Sequence, residues 1–443
     1  MIDAGDLRPG DDVPQFMERG GRSTCPRRLP KDASEIEFML VTRIIGDCPG
    51  CQSKNSFGNV DVFGNTLQRG CHHCGYSVEI PLPEITKSIL YLDQFFFSHA
   101  FREGDKKFVD AAKRIGEATH QQLLTTPYSS LHEEETQMWK YREELREFIR
   151  KTARGAKFAP QYHVEKAQVI KAFQAWLKNQ PPEYQIDERD GFFDDVHKWD
   201  GYFYIGVRGY QLDPDELRAS KQNAVDSLVA IFDDWRKDTR TFEQDVEAEL
   251  LAAARGYVNA YSELVTRIGT GDFSALLYSP IRSSVVENMM DILGRDKDYD
   301  ERLRTCGLFL RSDHFKNTPF HWLSARMYAT VKDMVRRGAY KNVEEAKRKL
   351  QGFFYDVNHI ATYAPYCDAI VVDSVMAELV SQPNVDLETR YVLKVFSRRN
   401  WREFLAWLDD LKKDLTSEMQ EALECINIKS LGSTFEQIGL RRT

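Results

Sequence analysis

Four cysteines in two close pairs have the clearest chemistry in the chain. Cys48 and Cys51 form one C-x2-C pair, and Cys71 and Cys74 form a second pair after 19 intervening residues. Each pair presents two thiolates from one tight turn, and a tetrahedral zinc ion takes four such ligands. The spacing therefore predicts a structural Zn²⁺ site in a small zinc ribbon, which we place at residues 41–82.

Other roles for these pairs stay open from the sequence. His72 and His73 lie inside the second pair and could replace a cysteine as ligand, and C-x2-C pairs also carry out redox chemistry. Neither pair opens a helix in a βαβ unit, as a thioredoxin-like pair does. Alternating apolar residues at 57–64 indicate hairpin strands between the pairs. The ribbon could bind nucleic acid, bind a protein or be purely structural.

A second set of candidates consists of carboxylates at or near the carboxyl ends of predicted strands, namely Asp93, Glu135, Asp356 and Asp373. The carboxyl ends of parallel strands meet at one edge of a sheet, where sites form. Carboxylates gathered there repel one another unless a divalent cation joins them. Oxygen ligands of this kind suit Mg²⁺ or Mn²⁺, and the usual work of such ions is phosphoryl chemistry.

Short apolar segments alternate with helical patterns on both sides of a long central region. We predict strands at residues 87–93, 122–126, 369–373 and 391–396. Strands that alternate with helices indicate an α/β fold whose parallel sheet is covered on both faces. Residues 137–349 are largely helical in pattern, which predicts a helical insertion within this core.

These segments resemble the PIN-domain nucleases and their PIN-like relatives. That family begins with a strand ending in Asp, as at Asp93, and places a Glu after the second strand, as at Glu135. It has an Asp at the start of a late helix, as at Asp356, and an Asp on the next strand, as at Asp373. The resemblance implies a PIN-like three-layer fold in which these four residues bind one or two Mg²⁺ or Mn²⁺ ions, activate water and cut a phosphodiester.

The resemblance covers residues 87–136 and 350–415. Residues 1–40 are predicted to be a poorly ordered lead-in, and residues 416–443 a C-terminal segment. The helical insertion at 137–349 would form a cap over the site or a surface for homo-oligomer formation.

Further residues near these positions are weaker candidates for the same site, namely Asp368, His132, Glu134 and His359. Three glutamates are consecutive at 133–135, so the sequence leaves open which of them faces the site. Gln94 stands where the family commonly has Thr or Ser. Structural roles also stay open, because Asp93 could simply cap the next helix and each histidine could be satisfied in the core.

Length and composition restrict the class of protein. The chain has 443 residues, a length that corresponds to roughly three domain-sized units. Hydrophobic residues make up 42% and charged residues 29%, which is the balance of a globular protein. No apolar run reaches the roughly 20 residues of a membrane span, and the N-terminus lacks a signal-peptide pattern, so we predict a cytoplasmic protein without a membrane partner. The net charge of −8 restricts any nucleic-acid surface to a local basic groove.

The sequence thus predicts a Mg²⁺- or Mn²⁺-dependent nuclease. The resemblance favours RNA over DNA as its substrate, and an endoribonuclease acting on single-stranded or locally unpaired RNA is our interpretation. The alternative is a non-catalytic protein in which the zinc ribbon binds nucleic acid or docks a protein, while the acidic site is degenerate.

Overall fold

The computed structural model describes residues 40–137, 139–202, 232–276, 281–350 and 352–426. The strands are β1 Arg43–Gly46, β2 Phe57–Phe63, β3 Thr66–Cys71, β4 Ser77–Pro81, β5 Ser88–Leu92, β6 Leu124–Thr125, β7 Ala369–Val371 and β8 Lys394–Phe396. The α-helices are α1 Gln94–Phe97, α2 Lys106–His120, α3 Ser130–Gln137, α4 Arg142–Ala153, α5 Gln161–Leu177, α6 Phe242–Gly269, α7 Ile281–Ile292, α8 Tyr299–Phe309, α9 Asp313–Lys316, α10 Pro319–Arg336, α11 Val343–Lys349, α12 Phe353–Tyr363, α13 Ser374–Val380, α14 Leu387–Tyr391, α15 Trp401–Asp410 and α16 Ser417–Ile426.

The first sheet is an antiparallel meander in the order β1-β2-β3-β4. Strands β2 and β3 form the hairpin predicted between the cysteine pairs, with Phe63 opposite Thr66. Gly64 opens the tight turn between them with a φ of +57°, a left-handed conformation that glycine adopts without steric cost. Cys71 pairs with Phe57 at the other end of the hairpin, so the sheet register carries the second cysteine pair toward the first.

The second sheet is parallel throughout, in the order β6-β5-β7-β8. This confirms the predicted α/β class with a parallel sheet. The second strand along the chain, β6, lies on one side of β5, whereas β7 and β8 lie on the other side. The order therefore reverses between β5 and β7, and ligand sites of open α/β sheets lie at such a switch point, beyond the carboxyl ends of the strands.

Helices cover both faces of the parallel sheet. Alternate strand residues point to opposite faces, so Ile89 and Tyr91 enter one core and Leu90 and Leu92 enter the other. The first core is shared with α10, α12 and α13, and the second with α2 and α15. One predicted strand begins late: Tyr391 ends α14 and Val392 has a φ of +55°, so pairing starts only at Lys394.

The ribbon sheet is fixed to the core by buried contacts. Asn59 Nδ2 donates to Tyr202 Oη at 2.8 Å, and Tyr202 Oη donates to the Ile426 carbonyl at 2.5 Å. The Tyr202 N–H donates to Asp61 Oδ1 at 2.8 Å, and Val62 belongs to the same hydrophobic core as the parallel sheet. The ribbon and the parallel sheet are therefore one packed unit.

The described residues of the predicted insertion are mainly helical and carry a core of their own. Residues on α5, α6, α7 and α8, including Phe173, Tyr257 and Met289, pack together there. The predicted lead-in up to residue 39 falls outside the described residues. Among the described helices, none has the length and apolar character to cross a membrane.

Candidate metal centres

The four cysteines form a compact group with the geometry of a zinc site. Their sulfur atoms all lie within 4.8 Å of one another. Cys48 Sγ is 3.6 Å from Cys74 Sγ, and Cys51 Sγ is 3.9 Å from Cys71 Sγ. Zinc–sulfur bonds of about 2.3 Å in a tetrahedron place the sulfurs about 3.8 Å apart, so this donor set fits Zn²⁺.

Backbone groups and charge also suit a cation at this group. The N–H groups of Gly50 and His73 donate to Cys48 Sγ and Cys71 Sγ, both at 3.3 Å. Burial opposes ionisation of Cys71, but hydrogen bonds with Ser56 and the following backbone hold its pKa at about 6, whereas burial raises the pKa of Cys74 to about 12. A divalent cation allows all four thiols to ionise together. The group contains no histidine, so His72 and His73 are not needed as ligands.

Asp93 and Asp373 lie side by side at the switch point of the parallel sheet. Asp93 follows β5 directly, and Asp373 follows the neighbouring strand β7. The Asp93 N–H donates to the Val371 carbonyl at 3.0 Å, so the two strands are still paired where Asp93 leaves the sheet. The backbone therefore sets the spacing of the two carboxylates.

Glu135 and Asp356, the other two predicted site residues, act electrostatically on residues at the end of β5. Burial raises the pKa of Asp93 to about 8, and the carboxylates of Glu135 and Asp373 add to that shift. Burial and the charges of Asp93, Glu135 and Asp356 also raise the pKa of Tyr91 well above its ordinary value. We call Asp93, Glu135, Asp356 and Asp373 the acidic centre.

Both aspartates also cap helices. Asp93 Oδ1 accepts from the Gln94 N–H at 2.7 Å, and Asp373 Oδ1 accepts from the N–H groups of Val375 and Met376, both at 2.8 Å. The capping role that the sequence left open is therefore present. Both caps of Asp373 use Oδ1, so its Oδ2 can serve a second purpose.

The acidic centre is more open than the cysteine group. Within the described residues, the four cysteines are the one set of three or more His, Cys, Asp or Glu side chains whose ligand atoms all lie within 4.8 Å. Mg²⁺ keeps several waters and is commonly held by only one or two carboxylates. Neither Asp93 nor Asp373 forms an ion pair with a basic side chain in the described part of the chain. The donor set fits one or two hydrated Mg²⁺ or Mn²⁺ ions.

The three consecutive glutamates of α3 point in different directions and have different neighbours. Glu133 forms ion pairs with Arg150 at 2.8 Å and Lys157 at 3.8 Å. The charge of Glu134 acts on Tyr363, and that of Glu135 acts on Asp93. Successive helical residues point about 100° apart, so only one of the three can face the acidic centre. In this structure that residue is Glu135.

His132 holds the end of β5 from within the core. Its Nε2 donates to the Leu92 carbonyl at 2.8 Å, and its Nδ1 accepts from the Ser129 N–H at 3.1 Å. Burial and the nearby His359 lower the pKa of His132 to about 3, so the ring is neutral. The buried ring of His132 therefore positions Leu92, the residue before Asp93.

Tyr91 is a residue of this region that the sequence did not single out. Its hydroxyl is 2.6 Å from His359 Nδ1, and both rings pack against His132. The three rings form a buried polar layer beneath the acidic centre. A tyrosine two positions before Asp93 on an apolar strand is the sequence signal that could have found it.

Asp368 lies away from the acidic centre, contrary to its selection as an additional candidate. It precedes β7, whereas Asp373 follows that strand, so the two lie at opposite edges of the sheet. Its Oδ2 accepts from the Ile89 N–H at 2.7 Å, and its carbonyl accepts from the Lys394 N–H at 2.9 Å. Asp368 therefore joins the amino ends of three strands.

Basic side chains flank the acidic centre along the carboxyl edge. Beyond β8 lie Arg398, 2.9 Å from His99 Nδ1, and Arg399, paired with Glu378 at 2.8 Å. Beyond β6, Arg150 and Lys157 lie over the ring of Tyr128. The sequence-based prediction missed both groups, although Arg398 and Arg399 directly follow a strand.

Loss of one buried cysteine ligand should remove the zinc. We expect Cys71→Ser to contain close to no zinc, to expose β2 and β3 amides to hydrogen exchange, and to lose at least about 3 kcal/mol of stability. Metal analysis, hydrogen exchange and denaturant unfolding measure these changes. Cys425→Ser, an exposed cysteine outside the group, is the control and should keep about one zinc per chain. Zinc retained by Cys71→Ser would contradict the site.

The raised pKa of Asp93 should appear as a pH-dependent stability. Unfolded, this carboxyl loses its proton near pH 3.8, but folded it keeps the proton to about pH 8, so stability falls as pH rises through this window. We expect Asp93→Asn to raise the Tm of zinc-loaded protein without Mg²⁺ or Mn²⁺ clearly at about pH 8 and little at about pH 5. Asp110→Asn, a change at an exposed aspartate, is the control. An equal change in Tm at both pH values for Asp93→Asn would refute the repulsion between Asp93 and its neighbouring carboxylates.

Comparison with known proteins indicates no function for the chain, so a function has to be proposed from the geometry described above. No protein-family model, no curated protein and no solved structure matches the chain. The resemblance to PIN-domain nucleases therefore stays a prediction from the sequence.

Proposed function

We propose that the protein is a Mg²⁺- or Mn²⁺-dependent nuclease that hydrolyses phosphodiester bonds, most simply an endoribonuclease acting on single-stranded or locally unpaired RNA. The observation that carries this proposal is the convergence of Asp93, Asp373 and Glu135 at the switch point, where their repulsion helps to raise the pKa of Asp93 to about 8. Carboxylates forced together at a ligand-binding edge are the environment in which a divalent cation is stabilising.

The residues of the acidic centre would divide the work by position. Asp93 and Asp373 are fixed by their strands and caps, so their carboxylates meet a metal without rearrangement. Glu135 on α3 and Asp356 in the first turn of α12 complete the ligand set from two helices. An ion held by these carboxylates would supply an activated water and would neutralise charge that develops on the phosphate. Neutral His132 keeps the end of β5 in place.

The flanking basic groups favour a polyanionic substrate. Arg398 and Arg399 lie beyond one side of the acidic centre, and Arg150 and Lys157 lie beyond the other. Neighbouring strands are about 4.8 Å apart, so the four strand ends span about 14 Å, the length of a few nucleotides. Phosphate contacts at both ends would hold a strand across the acidic centre. The preference for RNA rests on the family resemblance.

A non-catalytic function is the second candidate, and two observations favour it. Asp93 and Asp373 already cap helices, and the acidic centre is not a closed ligand shell. In that case the protein would bind nucleic acid or dock a protein, with the zinc ribbon as part of the surface. Calorimetric titration with Mn²⁺ distinguishes the two functions. A degenerate acidic centre binds no Mn²⁺, so any Mn²⁺ bound in that case is bound at the cysteines.

Neighbouring glutamates provide a matched test of cleavage. We expect labelled single-stranded RNA to be cut with Mn²⁺ or Mg²⁺ present, and Asp93→Asn and Glu135→Gln to lower the rate by at least about 100-fold. Glu133→Gln should stay within about threefold of the wild type, since it removes only the partly exposed ion pairs with Arg150 and Lys157 and leaves both cations in place. Single-stranded DNA tested beside RNA identifies the substrate class.

Two results would overturn this function. One is metal-dependent cutting that persists unchanged in folded Asp93→Asn. The other is the absence of any cutting of RNA or DNA by protein that binds zinc and unfolds cooperatively, which would favour the non-catalytic candidate.

A further inference from the structure

A cavity of about 990 Å³ lies between the ribbon and the rest of the protein. Its walls are the β2–β3 hairpin turn with Phe63, the helix α4 with the residues that follow it, and the loop around Phe193 and Asp200. The volume is large enough for a nucleotide-sized ligand. No metal ligand lines this cavity, which shares only Arg150 and Lys157 with the basic side chains that flank the acidic centre.

The floor of the cavity carries buried positive charge in excess. Lys87 Nζ lies 2.6 Å from Asp200 Oδ1, and Arg154 Nε lies 2.5 Å from Asp200 Oδ2. The Lys87 and Arg154 side chains are only 3% and 6% exposed. Two buried cations thus share one carboxylate, and the described residues provide no second carboxylate as ion-pair partner to either. Burying an unbalanced charge is costly, so the floor is suited to a further anion.

The neighbouring cations are more exposed than Lys87 and Arg154. Arg150 and Lys157 share the carboxylate of Glu133, but their side chains are 27% and 34% exposed. On the cavity wall Lys151 pairs with Glu147, and Lys198 pairs with Asp194. The deeply buried excess of positive charge therefore lies at Lys87 and Arg154. Consistent with this, burial lowers the pKa of Lys87, and the charge of Arg154 lowers it further, although Asp200 opposes both effects.

Exposed aromatic rings stand at the rim of the same cavity. Phe63 is 62% exposed at the end of β2, and Phe193 is 66% exposed on the opposite loop. The Phe193 ring contacts the His163 ring in a T-shaped arrangement, with ring centroids 4.9 Å apart. A base stacks well on the face of an exposed aromatic ring. The combination of a cationic floor and an aromatic rim matches the phosphate and the base of a nucleotide.

The cavity is separate from the acidic centre. Arg150 lines the cavity and pairs with Glu133, whereas Glu135 on the same helix faces Asp93. Residues two apart on a helix point to different sides, so α3 stands between the two sites. Binding in the cavity can therefore be measured independently of cleavage.

We propose that this cavity binds a nucleoside phosphate, with the phosphate at Lys87 and Arg154 and the base against Phe63 or Phe193. The ligand is either a free nucleotide or one nucleotide of a single strand, since both present the same groups. The zinc ribbon then has a function in recognition, because its hairpin supplies one wall and one ring.

The test is calorimetric titration of zinc-loaded protein without Mg²⁺ or Mn²⁺, using AMP, a short single-stranded RNA and inorganic phosphate in separate runs. We expect AMP or the RNA to bind, and phosphate alone to bind more weakly. Arg154→Gln, and separately the double variant Phe63→Ala with Phe193→Ala, should each weaken binding by about tenfold or more. Binding of AMP but not RNA identifies a free nucleotide as the source, and binding of RNA identifies a strand.

Matched controls distinguish binding from folding. Arg154→Gln leaves Lys87 and Asp200 as a balanced pair, so its free energy of unfolding should not fall, whereas a purely structural Arg154 would make it fall. Phe273→Ala removes a ring that is also 66% exposed but lies outside the cavity, and it should bind like the wild type. Equal affinity of all variants for AMP and RNA, or no binding of either by the wild type, would overturn the proposal.

Discussion

The parallel pairing of β5 with β7 is the constraint on which the rest of the structure depends. It joins segments far apart along the chain, for example where the Asp368 N–H donates to the Ile89 carbonyl, 279 positions away. The cost of closing so long a loop rises only slowly with its length, by about 0.6 kcal/mol for each doubling, so a large helical region can lie between the two strands. The pairing places Asp93 beside Asp373 and creates the switch point. Both faces of these strands are buried, which fixes their register.

Local patterns in the sequence were sufficient for the elements that carry the site. Strands near 87–93, 122–126 and 369–373 were predictable, because short apolar runs end in turn residues and carboxylates. The cysteine group was predictable, because zinc geometry constrains ligand spacing directly. The predicted strand at 369–373 already separated Asp368 at its amino end from Asp373 at its carboxyl end, and β7 lies between the two residues. The pairing of this strand with β5, which sets Asp373 beside Asp93, was not predictable from local sequence. Tyr391 was assigned to a strand, although the left-handed Val392 ends a helix there.

The remaining features depend on contacts between distant segments. Which of three glutamates faces Asp93 is decided by the packing of α3, where Arg150 draws Glu133 to the other side. The layer of Tyr91, His132 and His359 joins three separate elements. The cavity at the ribbon needs Lys87, Arg154 and Asp200, which lie on three segments whose meeting no local pattern indicates. Sequence reasoning identifies chemical groups, and tertiary packing decides which of them share a site.

The two centres differ in how far their geometry depends on an ion. In the ribbon, four thiolates would repel one another, so a bound Zn²⁺ ion would hold the two turns together. At the acidic centre, helix caps fix Asp93 and Asp373, and a hydrogen bond from His132 fixes the strand end, so the carboxylates converge without an ion. Their mutual repulsion is the cost of that arrangement, and helix capping offsets part of it. A preformed but electrostatically strained set of carboxylates is what reversible binding of a hydrated Mg²⁺ or Mn²⁺ ion requires.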